Sequence, residues 1–118
     1  MAKTPVFKAS TVEGIMTVPY RDSFRLFGEQ FVIHRCLDWH KSLKRWVCSH
    51  FGTGMTLSRH LAPSPSVPEC RWQAEKFLKE RGERAVKAKI EEEQPLNLEG
   101  MEFRWGPGKL LVIESLFD

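Results

Sequence analysis

Phe31–Val32–Ile33–His34–Arg35–Cys36–Leu37 and Trp46–Val47–Cys48–Ser49–His50 are two apolar runs joined through the basic connector Trp39–His40–Lys41–Ser42–Leu43–Lys44–Arg45. Short runs rich in β-branched and aromatic residues, bounding a brief polar connection, read as the two strands of a hairpin. A turn centred on Ser42 sets Cys36 opposite Cys48 and His34 opposite His50. Because alternate residues of a strand share a face, that register gathers two thiols and two imidazoles on one side of the ribbon. All four histidines and all three cysteines of the chain fall between positions 34 and 70.

Working outward, more strands flank this hairpin. Gly14–Ile15–Met16–Thr17–Val18–Pro19 is a short apolar run ended by proline, which suits a strand end or an edge. Phe24–Arg25–Leu26–Phe27 precedes Gly28–Glu29–Gln30, and a glycine opening so short a connection suits a tight turn into Phe31. After the Gly52–Thr53–Gly54 turn, Met55–Thr56–Leu57–Ser58–Arg59–His60–Leu61 alternates apolar and polar with period two, as a half-buried strand does. The region of about 14–61 therefore reads as a strand meander.

Ala62–Pro63–Ser64–Pro65–Ser66–Val67–Pro68 breaks the pattern. Ser66 and Glu69 form a capping box, and Pro68 fits the first helical turn, where an N–H has no partner to lose. Cys70, Ala74, Phe77, Leu78, Ala85 and Val86 recur at helical spacing, which predicts one long helix over about 67–90. Gly82 lies on that stripe, where it either allows close approach to the sheet or breaks the helix; continuity is the reading taken. Met101–Glu102–Phe103–Arg104–Trp105 and Lys109 to Phe117 bracket Gly106–Pro107–Gly108 and predict a C-terminal hairpin over about 101–117. Its last strand is apolar on both faces, which places it centrally or under the helix. The expected architecture is α+β: one domain holding an antiparallel sheet of about five or six strands with one long helix packed on a face.

Composition narrows the function classes. A length of 118 residues, 42% hydrophobic and 28% charged, is that of an ordinary globular domain. No apolar run approaches the ~18 residues that span a bilayer, and the first residues lack the core of a signal peptide, so a cytoplasmic location is expected. There the thiols stay reduced. Net charge is only +3, against the strongly basic surface of a dedicated duplex-DNA binder. The charge is uneven, however. From Trp39 to Pro68 there is no Asp or Glu, while Lys41, Lys44, Arg45 and Arg59 all lie there.

Three chemistries are open to these residues. His34, Cys36, Cys48 and His50 are zinc-type ligands, but His-x-Cys and Cys-x-His along strands project in parallel, whereas a tetrahedral ion needs convergent ligands. His40 and His60 are the possible replacements in such a set. A Cys–His nucleophile needs a thiol within hydrogen-bond reach of an imidazole, and same-face strand neighbours sit ~6.5–7 Å apart at Cα. No known nucleophile signature, phosphate loop or metalloprotease motif is present. Neither a cofactor nor an enzymatic activity is expected. The third feature is the tryptophans, Trp39, Trp46, Trp72 and Trp105. Trp46 reads as a core residue of its strand, while Trp39 stands beside the basic tip. Tryptophan and arginine are over-represented among residues that dominate protein interfaces, and aromatic rings also stack on bases.

Trp46–Val47–Cys48–Ser49–His50–Phe51–Gly52–Thr53–Gly54–Met55, followed by a strand and a lysine-rich helix, resembles small uncharacterised proteins of phages and mobile elements that carry a strand and turn of this kind. The resemblance covers about 30–90. It implies, by analogy, an accessory protein of the anti-CRISPR type, which inhibits a host defence complex by covering a surface. No site residues carry over. The sequence thus leads to a small non-enzymatic binding protein, monomeric or a small homo-oligomer and not membrane-bound, whose partner is a larger bacterial protein or ribonucleoprotein complex. Its expected binding residues are Trp39, His40, Lys41, Lys44 and Arg45 at the tip, with Arg59. The alternative is a nucleic-acid-binding module that lays the same basic aromatic tip along phosphates.

Overall fold

A computed structural model of the chain describes residues 4–11, 14–36, 45–58, 61–93 and 113–117. Its centre is a five-stranded sheet built from β3 (Asp22–Leu26), β4 (Glu29–Arg35), β5 (Trp46–His50), β6 (Thr56–Ser58) and β7 (Ser115–Phe117), in that spatial order. A separate antiparallel hairpin is formed by β1 (Val6–Thr11) and β2 (Gly14–Pro19). Two helices, α1 (Val67–Arg81) and α2 (Glu83–Glu93), complete the described elements. The α+β class is as expected from the sequence. No described helix is long and apolar enough to cross a membrane.

Alternation along β4 builds a layered arrangement. Phe31 and Ile33 join Cys48, Leu57 and Leu116 in a core closed by Cys70, Ala74, Leu78, Val86 and Ile90 of the helices. Val32 points the other way, into a second core with Phe7, Ala9 and Val18 of the β1–β2 hairpin. The sheet is therefore covered on both faces. A strand buried on both sides loses the polar–apolar alternation that a half-exposed strand displays, which is why His34 and Ser49 also end up fully buried.

Three expectations about the architecture need correction. The sheet is mixed: β3 to β6 run as an antiparallel meander, but β7 pairs with β6 in parallel. Gly14–Pro19 leaves the meander and pairs instead with Val6–Thr11, a strand not anticipated from the sequence. The long helix is two helices. Gly82 adopts φ +91 and ψ 151, outside any helical conformation, and its N–H caps Leu78 O at 2.9 Å while its own carbonyl accepts from Val86 N–H at 3.1 Å. Glycine takes that left-handed half of φ space without steric cost, so the break falls there. No atom lies within 4 Å of the Cβ position at Gly82, so close approach to the sheet is not its purpose.

The last strand lies at the end of the sheet order rather than the centre, but it does sit beneath the helices, with Leu116 in their core and the Phe117 ring 5.7 Å from that of Phe77. The remainder of the C-terminal hairpin, up to residue 112, lies outside the described residues. The start of α1 keeps one half of the expected capping box: Ser66 has extended geometry and its hydroxyl accepts from Glu69 N–H.

Candidate functional site

The hairpin of β4 and β5 carries most of the residues singled out above, and its register decides what they can do. Cys48 lies opposite Ile33, and His34 opposite Val47. The expected pairings, Cys36 with Cys48 and His34 with His50, are therefore wrong. The slip is by an odd number of residues, and with a side-chain period of two such a slip sends every side chain to the other face. Cys48 belongs to the helix-side core and the His50 ring packs on Phe31, while the His34 ring lies 4.9 Å from Phe7 of the β1–β2 hairpin. The sheet itself separates the two halves of the supposed metal quartet. Among the described residues no three His, Cys, Asp or Glu side chains are grouped to hold a metal ion.

Each histidine is instead locked by its own hydrogen bonds. His34 Nδ1 donates to Arg35 O at 2.8 Å, which leaves Nε2 as the acceptor of the Ser49 hydroxyl at 2.7 Å. This is the donor–acceptor order of a serine–histidine nucleophile pair, but both residues are fully buried. Burial also lowers the His34 pKa to about 4, only partly opposed by the bond to Arg35 O. A neutral imidazole and a hydroxyl that satisfy each other inside the protein form a structural pair.

His50 is arranged the other way round. Its Nδ1 accepts from Thr53 N–H at 3.1 Å and faces the Thr53 hydroxyl at 3.0 Å, so Nε2 carries the proton and donates to Glu29 Oε1 at 2.7 Å. Burial pulls the His50 pKa down, and the Glu29 hydrogen bond and charge pull against it. The hydroxyl end of this chain of groups is buried and the carboxylate end is the partly exposed one, the reverse of what a nucleophile requires. Neither Glu29 nor Thr53 was singled out from the sequence. In the true register Glu29 precedes Phe31, the residue opposite His50, by one same-face step.

The thiols are interior groups. Cys36, Cys48 and Cys70 are all buried and outside any disulfide. Burial pushes the Cys48 pKa well up, with smaller contributions from Cys70 and Glu75. Burial pushes Cys70 to about 12, opposed by its hydrogen bond with Ser64. Such thiols are protonated at neutral pH and poor nucleophiles.

Among the described residues, what reaches solvent at the Arg35–Trp46 end of β4–β5 is cationic and aromatic. Arg45 is exposed, and its carbonyl accepts from Cys36 N–H at 2.8 Å, continuing the ladder one step beyond the strands. The Arg35 guanidinium lies over the half-buried Trp46 ring, 4.6 Å from its centroid. Of the expected binding residues, Trp39, His40, Lys41, Lys44 and Arg59 lie outside the described residues. A further aromatic lies elsewhere: Trp72, 61% exposed, stands on the outer face of α1. No protein-family model matches this chain, and no curated protein or solved structure does.

Proposed function

We propose that this protein works by binding rather than by chemistry, as a small inhibitor that covers a working surface of a larger bacterial protein or ribonucleoprotein complex, in the manner of an anti-CRISPR protein. The observation that carries the reading is the exposed Arg45 beside the Arg35–Trp46 stack, at the end of β4–β5 from which 37–44 connects the two strands. An arginine held over an indole is fixed in place, the kind of anchor on which interface energy concentrates. Interior placement of the described thiols and of Ser49 supports the same reading, because the reactive groups are turned away from any partner.

The same end favours phosphate as a second reading, since the region from Trp39 to Pro68 contains no acidic residue. Salt separates the two. A tip making three or four phosphate contacts gives a log–log slope of about −3, whereas an interface held by aromatic burial is much flatter. The test is capture of tagged protein in lysates of bacteria with and without defence systems, in the presence and absence of nuclease. A discrete complex that survives nuclease and is lost with Arg45→Glu supports the inhibitor reading. Retention abolished by nuclease transfers the assignment to nucleic acid.

A further inference from the structure

Helix α1 has two faces. Cys70, Ala74 and Leu78 are buried against the sheet. Trp72 is set back to back with them, and Trp72, Glu75, Lys76, Lys79 and Glu80 line a shallow groove on the outside. Trp72, Glu75, Lys76 and Lys79 follow the i, i+3, i+4, i+7 spacing of a helix–helix seam. An indole is a costly side chain to leave in water. Lys76 Nζ, 5.3 Å from the Trp72 ring centre, covers only part of it.

We infer that this stripe is a self-association seam, on which α1 of a second copy of the chain packs antiparallel about a two-fold axis. Charge selects the occupant. The groove holds two acidic and two basic residues, Glu75, Glu80, Lys76 and Lys79, so it is self-complementary and suits neither a strongly acidic nor a strongly basic partner. Charge also selects the direction. A parallel two-fold pairing sets each residue against its own copy and brings like charges together. The antiparallel pairing centred between Glu75 and Lys76 sets Glu75 against the partner's Lys76, and Trp72 against the partner's Lys79, twice over by symmetry. Each contact is then an ion pair or a cation–π contact. From Trp72 to Lys79 the seam is ~10 Å long at 1.5 Å per residue. So short a contact falls in the low-area class of interfaces, so the dimer is weak and concentration-dependent.

Sedimentation equilibrium of the full chain over a wide concentration range tests this, with circular dichroism confirming that each variant is folded. The wild type is expected to show a reversible monomer–dimer equilibrium that weakens with salt. Trp72→Ala is expected to raise the dimer dissociation constant at least ~10-fold. Glu75→Lys and Lys76→Glu should each be monomeric alone, since each places like charges across the axis. Mixed together they should dimerise, since every cross-axis pair is then opposite in sign. A wild type that stays monomeric throughout, a dimer indifferent to Trp72→Ala, or folded charge variants that fail to associate on mixing would overturn the inference. Occupation of the groove by an unrelated protein would appear as the first of these.

Discussion

His50 Nε2 lies 2.7 Å from Glu29 Oε1, with Thr53 N–H directed at the opposite ring nitrogen. One imidazole thereby ties the start of β4 to the turn after β5. The carboxylate is the group that holds the His50 pKa up against burial. Glu29→Gln keeps a hydrogen-bond acceptor but removes the charge, so the His50 pKa should fall below its wild-type value in an NMR titration. An unchanged titration would show that the pair is not formed in solution.

Stability should fall on mild acidification, and His34 sets the window. Its folded pKa of about 4 lies below the ordinary 6.5, so the unfolded chain takes up the proton first. The stabilisation is complete above pH 6.5 and is lost as pH falls towards 4, by about 3 kcal/mol. His50, also lowered, acts in the same direction. Urea unfolding across this range should show the decline, and His34→Gln should start less stable but fall less steeply. An equal slope in the variant would contradict the assignment to His34.

Two glycines with similar positive φ should respond differently to alanine. At Gly54, φ +71, an added Cβ would run into Lys8 O and meet Ser10 N at 2.9 Å, because β1 crosses the turn at this point and Ser10 N–H donates to Gly54 O. Gly28, φ +78, has nothing within 4 Å and completes a tight turn with Phe27. Gly28→Ala should cost ~1 kcal/mol from backbone strain alone. Gly54→Ala should cost at least ~3 kcal/mol or prevent docking of the β1–β2 hairpin, since backbone rather than a flexible side chain must yield. Chemical denaturation of both variants checks the contrast.

The buried thiols give a further test. Cys36, Cys48 and Cys70 should react with an aromatic disulfide reagent orders of magnitude more slowly in the native protein than in denaturant, at a rate set by opening of the core. Prompt reaction of any of them in native buffer would expose a thiol that the fold places inside.

The strands of the central hairpin were legible in the sequence, but their register was not. Trp39 to Arg45 has no glycine, proline or asparagine to mark where the chain turns, and both strands are buried on both faces, so alternation does not say which residues share a side. The two histidines looked alike in sequence and came to lie on opposite faces for that reason. Val6–Thr11 was missed because Lys8 and Ser10 dilute a six-residue strand whose inward members are Phe7 and Ala9. The cap at Ser66 was readable because it depends on neighbours in sequence. The parallel pairing of β7 with β6 depends on a long return of the chain, which local pattern does not encode. Of the candidate site, Arg45 is exposed at the start of β5, whereas the partnership of His50 with Glu29 required the register.

The most direct test of the binding account is the affinity of the wild-type chain, Trp39→Ala and Arg45→Ala for the complex retained from lysate, measured by titration calorimetry at two salt concentrations. The account predicts that each substitution weakens binding by ~1–4 kcal/mol while the wild type shows only a shallow salt dependence. Unchanged affinity in both variants would contradict it and remove this end of the molecule from the interface.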